Sequence, residues 1–130
     1  MGLSDCRVEA AVAVSDLERA RRFYEEGLGL APGELEEGVS ARYPCAGGTA
    51  IFIYFAPDNA GKSTATLAGW FVGDLSETMD ELGSRGVTFE QYDQPGLATD
   101  ERGVFEGPGF RAAWVKDPDG NTLAITQLGG

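Results

Sequence analysis

Two short stretches of this chain carry the same pattern: Val14-Ser15-Asp16-Leu17 in the first half returns as Val72-Gly73-Asp74-Leu75, 58 residues later. An internal repeat is the first feature to look for, because each copy is one structural unit that buries its apolar face against its neighbours. Each position in the first half can therefore be compared with its twin in the second.

A helix is predicted to begin inside each of these stretches. Ser15 lies three residues before Glu18, the spacing of a capping box, so we expect Ser15 to cap the first helix. In the second half we expect Asp74 to be the N-cap and Gly86 to end the helix, because glycine adopts a left-handed cap at little cost.

Seven further segments have the length and apolar content of β-strands. They are residues 7–14, 39–45, 49–55, 65–72, 87–92, 110–116 and 121–127. The last two are joined by Asp117-Pro118-Asp119-Gly120, in which Pro fixes φ and Gly accepts a positive φ.

The final hairpins also match, but at a larger offset. Residues 49–51 correspond to residues 121–123, an offset of 72, so the second half contains 14 additional residues. The Gly-rich segment 95–109 accounts for this insertion. Loops of that length in compact domains are usually functional lids or disordered, so we expect a lid whose contacts are Phe105 and Glu106.

The second half reads as strand, helix and three strands, and we interpret the first half, in which two of those three final strands are apparent, as the same unit. We therefore predict an α+β fold made of two tandem βαβββ modules, residues 7–55 and 65–127, joined by a polar linker at 56–64. Together they form a single domain, residues 1–130, in which a curved mixed sheet surrounds a cleft.

The composition excludes several classes of partner. Ten Lys and Arg against 21 Asp and Glu give a net charge of −11, which opposes binding to nucleic acid or to an anionic membrane. The sequence contains neither an apolar run of transmembrane length nor a recognisable leader, and Cys6 and Cys45 form no disulfide framework or metal motif. We therefore expect a cytoplasmic protein.

Two segments together resemble the vicinal-oxygen-chelate superfamily, the group of glyoxalase I, bleomycin-resistance proteins, fosfomycin-modifying enzymes and extradiol dioxygenases. They are VSDLERARRFYEEGLGL, residues 14–30, and AAWVKDPDGNTLAITQ, residues 112–127. The resemblance runs the full length of the chain and implies the glyoxalase/bleomycin-resistance fold. It does not imply one function, since metal-dependent enzymes and metal-free binding proteins share that fold.

The same resemblance locates the four positions that bind the metal ion in the enzymes of the superfamily. Here they hold Glu9 and Leu67, which are twins at the offset of 58, and Phe52 and Ala124, which are twins at the offset of 72. A single carboxylate cannot hold a divalent ion against water, because catalytic sites use two or three protein ligands. We expect no metal and no cofactor, and the chain contains no histidine that could act as a ligand or general base.

Strand alternation then predicts which side chains line the cleft. The turn at residues 117–121 pairs Trp114 with Ala124, and the same rule pairs Arg42 with Phe52. The predicted ligand-binding residues are mostly apolar, four of them aromatic, and include two charged side chains, as in small-molecule pockets. They are Glu9, Arg42, Phe52, Tyr54, Leu67, Phe71, Trp114 and Ala124. The alternative is that the rings fill a core and Glu9 forms a buried ion pair with Arg42.

Three functions remain open at this stage. The first is a metal-free protein that binds an aromatic or amphipathic small molecule, for example by sequestering a drug. The second is a metal-independent lyase or isomerase in which apolar surroundings raise the pKa of Glu9, the base. The third is a metal-dependent enzyme of the glyoxalase or dioxygenase type. In each case a C2 homodimer is expected, because a second copy would complete a half-filled cleft.

Overall fold

Each repeat forms one four-stranded sheet in the computed structural model, which describes residues 2–129. Met1 and Gly130, the ends of the predicted domain, lie outside the described residues. In chain order, the first sheet is built from β1 (Ala10–Val14), β2 (Glu34–Glu36), β3 (Ser40–Pro44) and β4 (Ala50–Phe55). The later strands are β5 (Thr66–Phe71), β6 (Asp93–Gln94), β7 (Leu97–Ala98), β8 (Phe105–Gly107), β9 (Phe110–Lys116) and β10 (Thr122–Leu128).

The two sheets have the same topology. Their strand orders are β1-β4-β3-β2 and β5-β10-β9-β8, while β6 and β7 form a separate two-stranded hairpin. One helix follows the first strand of each sheet, α1 (Leu17–Arg22) and α2 (Leu75–Ser84), and α1 continues into a π-helical turn at Phe23–Gly27. The predicted α+β fold of repeated strand–helix–strands units is confirmed. None of the helices within residues 2–129 is long and apolar enough to cross a membrane.

The strand registers reproduce the predicted offsets. Ala11 lies beside Phe52 in the parallel pair β1–β4, and its twin Gly69 lies beside Ala124 in the parallel pair β5–β10. The antiparallel pairs place Arg42 opposite Phe52 and Trp114 opposite Ala124, as the turn rule predicts. The registers therefore place Arg42 beside Phe52, and Trp114 beside Ala124, as predicted.

The helix of the first repeat begins one residue later than predicted. Asp16, not Ser15, is the N-cap, and its Oδ1 accepts a 3.0 Å hydrogen bond from the Arg19 amide. Ser15 is engaged elsewhere, since its amide and hydroxyl both donate to the carboxylate of Asp119. Asp74 caps α2 as predicted, accepting from the Glu77 amide at 2.9 Å. Both repeats thus use an aspartate cap.

The core lies on the helix-covered faces of the sheets. Buried side chains on the strands, among them Val12, Val14 and Ile53, pack with those of the helices, such as Leu75 and Met79. Val8 is also predicted to face the helices, and this is wrong: it is 81% exposed, because it precedes β1 and is not part of the sheet.

The region after α2 differs from the prediction. Residues 87–92 do not form a strand; Phe89 makes one isolated bridge to Val115, and the fourth strand of the second sheet is β8. Since β8 occupies the edge of β9 from Phe110 to Ala112, only the other end of that edge is left for Phe89. The predicted loop 95–109 accordingly contains β7 and β8 and is partly built into the second sheet.

The turn between β9 and β10 joins the two repeats. The Asn121 amide group donates to the carbonyl oxygen of Ala13 at 2.9 Å, and its Oδ1 accepts from the Gly61 amide at 3.1 Å. Asn121 is buried, so these bonds are made away from water and are costly to lose. A residue of the second repeat therefore fixes both the end of β1 and the linker.

Candidate functional site

Glu9 and Arg42 form an ion pair on the face of the first sheet that the helices leave uncovered. Arg42 donates from Nε to both carboxylate oxygens of Glu9 at 3.1 Å and from Nη2 to Oε2 at 2.7 Å. The pair reaches across β4, since Arg42 lies on β3 opposite Phe52 and Glu9 immediately precedes β1. Arg7 is a weaker neighbour, with its Nη1 3.7 Å from Glu9 Oε2.

This pair holds both groups in their charged forms. The hydrogen bond from Arg42 lowers the pKa of Glu9 below its ordinary value; partial desolvation opposes that shift, and the positive charges of Arg42 and Arg7 reinforce it. The same hydrogen bond raises the pKa of Arg42. The prediction of a raised pKa for Glu9 is therefore wrong. The pair is also not buried, since the two side chains are 26% and 20% exposed.

Two stacked rings continue this face of the first sheet. The rings of Phe52 and Tyr54, two residues apart on β4, have centroids 5.9 Å apart and planes inclined by 18°. Both residues are half-buried, while Ala11 beside Phe52 is exposed and leaves room above β1. The face therefore offers a flat aromatic surface with a charged pair at one end.

A second aromatic group lies on the uncovered face of the second sheet. The Trp114 ring meets Tyr92 edge-on at a centroid distance of 5.7 Å and Phe105 at 6.3 Å. Ala124, opposite Trp114, is small and buried, so it forms part of the surface beneath the aromatic group and does not project beside the rings. The sequence argument did not identify Tyr92 as a site residue, because its contact with Trp114 depends on the irregular path of residues 87–92.

Thr122 contributes an unpaired polar atom to the same face. Its hydroxyl is buried and has no hydrogen-bond partner among the described residues. Thr122 is two residues before Ala124 on β10 and so points to the same side of the sheet. A bound molecule or a water could satisfy this hydroxyl, which an apolar wall alone would leave unpaired.

The first strand of the second sheet is apolar and exposed. Leu67 is 38% and Phe71 74% exposed, and Gly69 between them has no side chain to cover β10. An open groove of about 450 Å³ runs along this strand to the start of β4, and its lining residues include Phe71, Trp70, Ala50 and Cys45. Such a groove has the size and apolar character of small-molecule sites.

The structure thus brings the predicted site residues together in two groups. Glu9, Arg42, Phe52 and Tyr54 share the face of the first sheet, and Phe71, Trp114 and Ala124 share that of the second. Leu67 lies at a register shift of β5, between Thr66, which pairs with Thr122, and Ala68, which pairs with Leu123, so the pairing does not place it on that face. Within residues 2–129, none of the ring contacts joins the first aromatic group to the second.

Comparison with known proteins identifies the family to which the chain belongs. A family model described as the Glyoxalase/Bleomycin resistance protein/Dioxygenase superfamily matches residues 8–125. The chain belongs to this superfamily. A search of curated proteins gave no match.

Solved structures of the superfamily share the fold over nearly the whole chain. A glyoxalase/bleomycin resistance protein from Catenulispora acidiphila is 25% identical with a TM-score of 0.69, covering 94% of this chain and 97% of its own. TnmS3, an antibiotic binding protein from Streptomyces sp. CB03234, is also 25% identical with a TM-score of 0.69, covering 94% of each chain. Lactoylglutathione lyase from Agrobacterium tumefaciens, 19% identical, has a TM-score of 0.63 and covers 92% of this chain and 91% of its own, a likeness of fold.

The metal-binding positions of the superfamily do not fit a metal ion in this member. Of the residues at those positions, Leu67, Phe52 and Ala124 have no donor atom in their side chains, and the carboxylate of Glu9 is occupied by Arg42. Divalent ions need several oxygen, nitrogen or sulfur ligands at once. No group of three or more His, Cys, Asp or Glu side chains able to hold an ion occurs within residues 2–129.

Proposed function

We propose that this protein binds an aromatic or amphipathic small molecule without a metal ion, on the two uncovered sheet faces. One observation carries the proposal. At the symmetry-related pairs Ala11–Phe52 and Gly69–Ala124, on the strands whose residues bind the metal ion in enzymes of the superfamily, this chain presents one ring and three small residues. Apolar walls with a few polar groups favour binding of a small molecule.

Relatives of the same fold support this assignment. TnmS3 is an antibiotic binding protein, and this chain aligns with it over 94% of both sequences. Sequestration of an antibiotic or a similar aromatic compound is the corresponding function here. The net charge of −11 would attract a cationic ligand at long range.

The ion pair of Glu9 and Arg42 serves binding better than proton transfer. A general base works best with a pKa near the working pH, whereas Arg42 lowers the pKa of Glu9. A charged pair fixed at the end of the Phe52–Tyr54 stack can orient a polar substituent of the ligand. This geometry favours a role for Glu9 in binding over the role of base in a metal-independent lyase or isomerase.

A C2 homodimer in the cytoplasm completes the proposal. Each chain, as a single domain of modules 7–55 and 65–127, offers two half-sites, and Phe71 on the second is 74% exposed. A partner that places its second sheet over the first sheet of this chain would bury both aromatic groups in one cleft. The two free cysteines, Cys6 and Cys45, fit a reducing compartment.

Binding of a neutral aromatic probe, N-phenyl-1-naphthylamine, tests the proposal. We expect saturable fluorescence enhancement that is unchanged by EDTA, and purified protein with less than stoichiometric metal content. A panel of aromatic antibiotics should displace the probe and be recovered chemically unchanged. Binding that requires an added metal ion, or conversion of the displacing compound into a product, would overturn the proposal.

A pair of variants locates the binding surface. Trp114→Ala removes the central ring of the second group and should weaken probe binding by about tenfold, since burying an indole is worth more than one kcal/mol. Phe55→Ala removes an exposed ring at the end of β4 that is on the opposite face from Phe52 and Tyr54. It should leave binding within about twofold of the parent protein.

A further inference from the structure

A groove between the two repeats concentrates the positive charge of this acidic protein. The groove has a volume of about 490 Å³ and is lined by Arg19, Arg22, Arg85 and Lys116, four of the ten cationic residues of the chain. Only two of the 21 acidic residues, Glu26 and Glu90, line it. The site residues described above lie elsewhere on the molecule, so this groove has no role in the proposed binding of an aromatic ligand.

The groove is formed by one face of α1 and the end of α2. Arg19, Arg22, Phe23 and Glu26 are spaced at i, i+3, i+4 and i+7, which places them on one side of the first helix and its π-helical extension. The opposite wall comes from Arg85 and the residues that follow α2, and Lys116 closes one end from the last position of β9. Cations from both repeats therefore face the same space.

Three of the four cations have weak partners or none within the described part of the chain, whereas Arg19 Nη2 lies 3.3 Å from Oδ1 of Asp119, whose side chain is only 7% exposed. Arg22 is exposed and has no hydrogen-bond or ion-pair partner among residues 2–129. Lys116 Nζ is 3.9 Å from Glu90 Oε1, and Arg85 Nη2 is 3.2 Å from an exposed Glu81. Exposed ion pairs of this kind contribute little, so an incoming anion can replace them at low cost.

The backbone is shaped to admit one of these side chains. Gly29 has φ of 79°, and a Cβ at that position would collide with the guanidinium of Arg85. The chain after α1 thus lets the guanidinium of Arg85 lie directly against Gly29, and Arg85 is one of the residues that line the groove. Phe23, half-buried against Tyr24, adds a ring to the wall.

We propose that this groove binds a small molecule carrying a diphosphate or an equivalent multiply charged phosphate group. Guanidinium groups match phosphate oxygens with paired donors, and several cations around one space favour more than one negative charge. Outside the groove the chain has six cationic and 19 acidic residues, so a long polyanion such as nucleic acid would be repelled by the rest of the surface.

Titration with inorganic pyrophosphate at low ionic strength tests this inference. We expect saturable binding, one ion per chain, that weakens as salt is added, because the interaction is between exposed charges. Arg22→Gln removes the cation that has no partner in the chain and should weaken binding by about fivefold or more. Lys116→Gln should weaken it in the same direction.

Lys62→Gln is the matched control. It makes the same change of net charge as Lys116→Gln, but Lys62 is an exposed residue of the linker and does not line the groove. Binding by this variant should stay within about twofold of the parent protein. Equal weakening by both lysine variants would show diffuse attraction to the surface, and the absence of saturable binding would show no site; either result overturns the inference. Neither result would affect binding of the neutral aromatic probe, so the two proposals fail separately.

Discussion

The hydroxyl of Tyr24 donates a 2.9 Å hydrogen bond to Oδ2 of Asp117, and both residues are buried. Tyr24 belongs to the helix of the first repeat and Asp117 to the β9–β10 turn of the second. Asp117 also accepts from the Asn121 side chain and from the amides of Asp119 and Asn121. The turn that sets the register of the final hairpin thereby also fixes how the two repeats pack.

Tyr24→Phe should therefore lower the free energy of unfolding by about 1–3 kcal/mol, because it removes a buried hydrogen bond to a charged group. The ring and its packing against Phe23 and Tyr43 are retained. Chemical denaturation measures the difference. Tyr54→Phe is the control, since the hydroxyl of Tyr54 has no hydrogen bond in the described part of the chain, and its unfolding free energy should change by less than about 0.5 kcal/mol. Equal losses in the two variants would contradict this reading of the Tyr24 bond.

Gly61 and Gly47 allow steric contact to be separated from backbone strain. Both have φ of 67°, but a Cβ on Gly61 would collide with the carbonyl oxygen of Asp119, whereas one on Gly47 would meet nothing within 4 Å. We expect Gly47→Ala to cost about 1 kcal/mol of unfolding free energy for the positive φ, and Gly61→Ala to cost at least about 2 kcal/mol more. Similar losses from both substitutions would show that the approach of Gly61 to the turn is not a tight one.

The sequence was sufficient where local chemistry decides the structure. A one-residue shift of register would turn Trp114 to the other face of the sheet. The turn residues Asp117 to Asn121 alone predicted the observed pairing of Trp114 with Ala124. Because the two repeats correspond residue by residue, the same turn rule predicted the pairing of Arg42 with Phe52 in the first sheet, as observed. These registers placed Arg42 beside Phe52 and Trp114 beside Ala124, but they did not predict the register shift of β5 at Leu67.

The sequence was insufficient where distant segments compete for one place. Ser15 and Asp16 can both cap a helix, and the choice is made by Asp119, which lies more than 100 residues away and binds Ser15. The edge of β9 is shared between Phe89 and β8, so the alternating pattern of residues 87–92 did not predict its pairing. In the same way, strand alternation does not say how the two uncovered faces meet, because that depends on packing between whole sheets.

The titration of Glu9 should follow its bond to Arg42. Because its pKa is lowered in the folded state, the pair stabilises the fold above the ordinary pKa of a carboxyl group, and this contribution is lost as the pH falls through the lowered pKa. NMR titration of the Glu9 carboxyl should give a midpoint below the ordinary value. In Arg42→Gln the midpoint should rise, whereas Arg111→Gln, whose guanidinium pairs with Glu106, should leave it unchanged. A midpoint above the ordinary value in the parent protein would restore Glu9 as a candidate base.

Complementation between two inactive variants should reveal whether the ligand cleft forms across protomers. Phe52→Glu places a charge in the aromatic group of the first sheet, and Trp114→Glu does so in the second. Each homodimer should fail to bind the neutral probe. If one cleft takes its first sheet from one protomer and its second sheet from the other, a heterodimer has one cleft with both variants and one with neither. Mixing the variants should then restore about a quarter of the sites, because half of the dimers are mixed.

The control for this experiment is the mixture in which both chains carry Phe52→Glu, which should bind no probe. Sedimentation should give a mass about twice the 13.8 kDa of one chain for the parent protein and for each variant. Circular dichroism should confirm that both variants are folded, since Phe52 and Trp114 are half-buried and face away from the core. A folded, dimeric mixture that recovers no binding would show that each cleft lies within one chain. The exposure of Phe71 would then no longer support a cleft shared between two protomers.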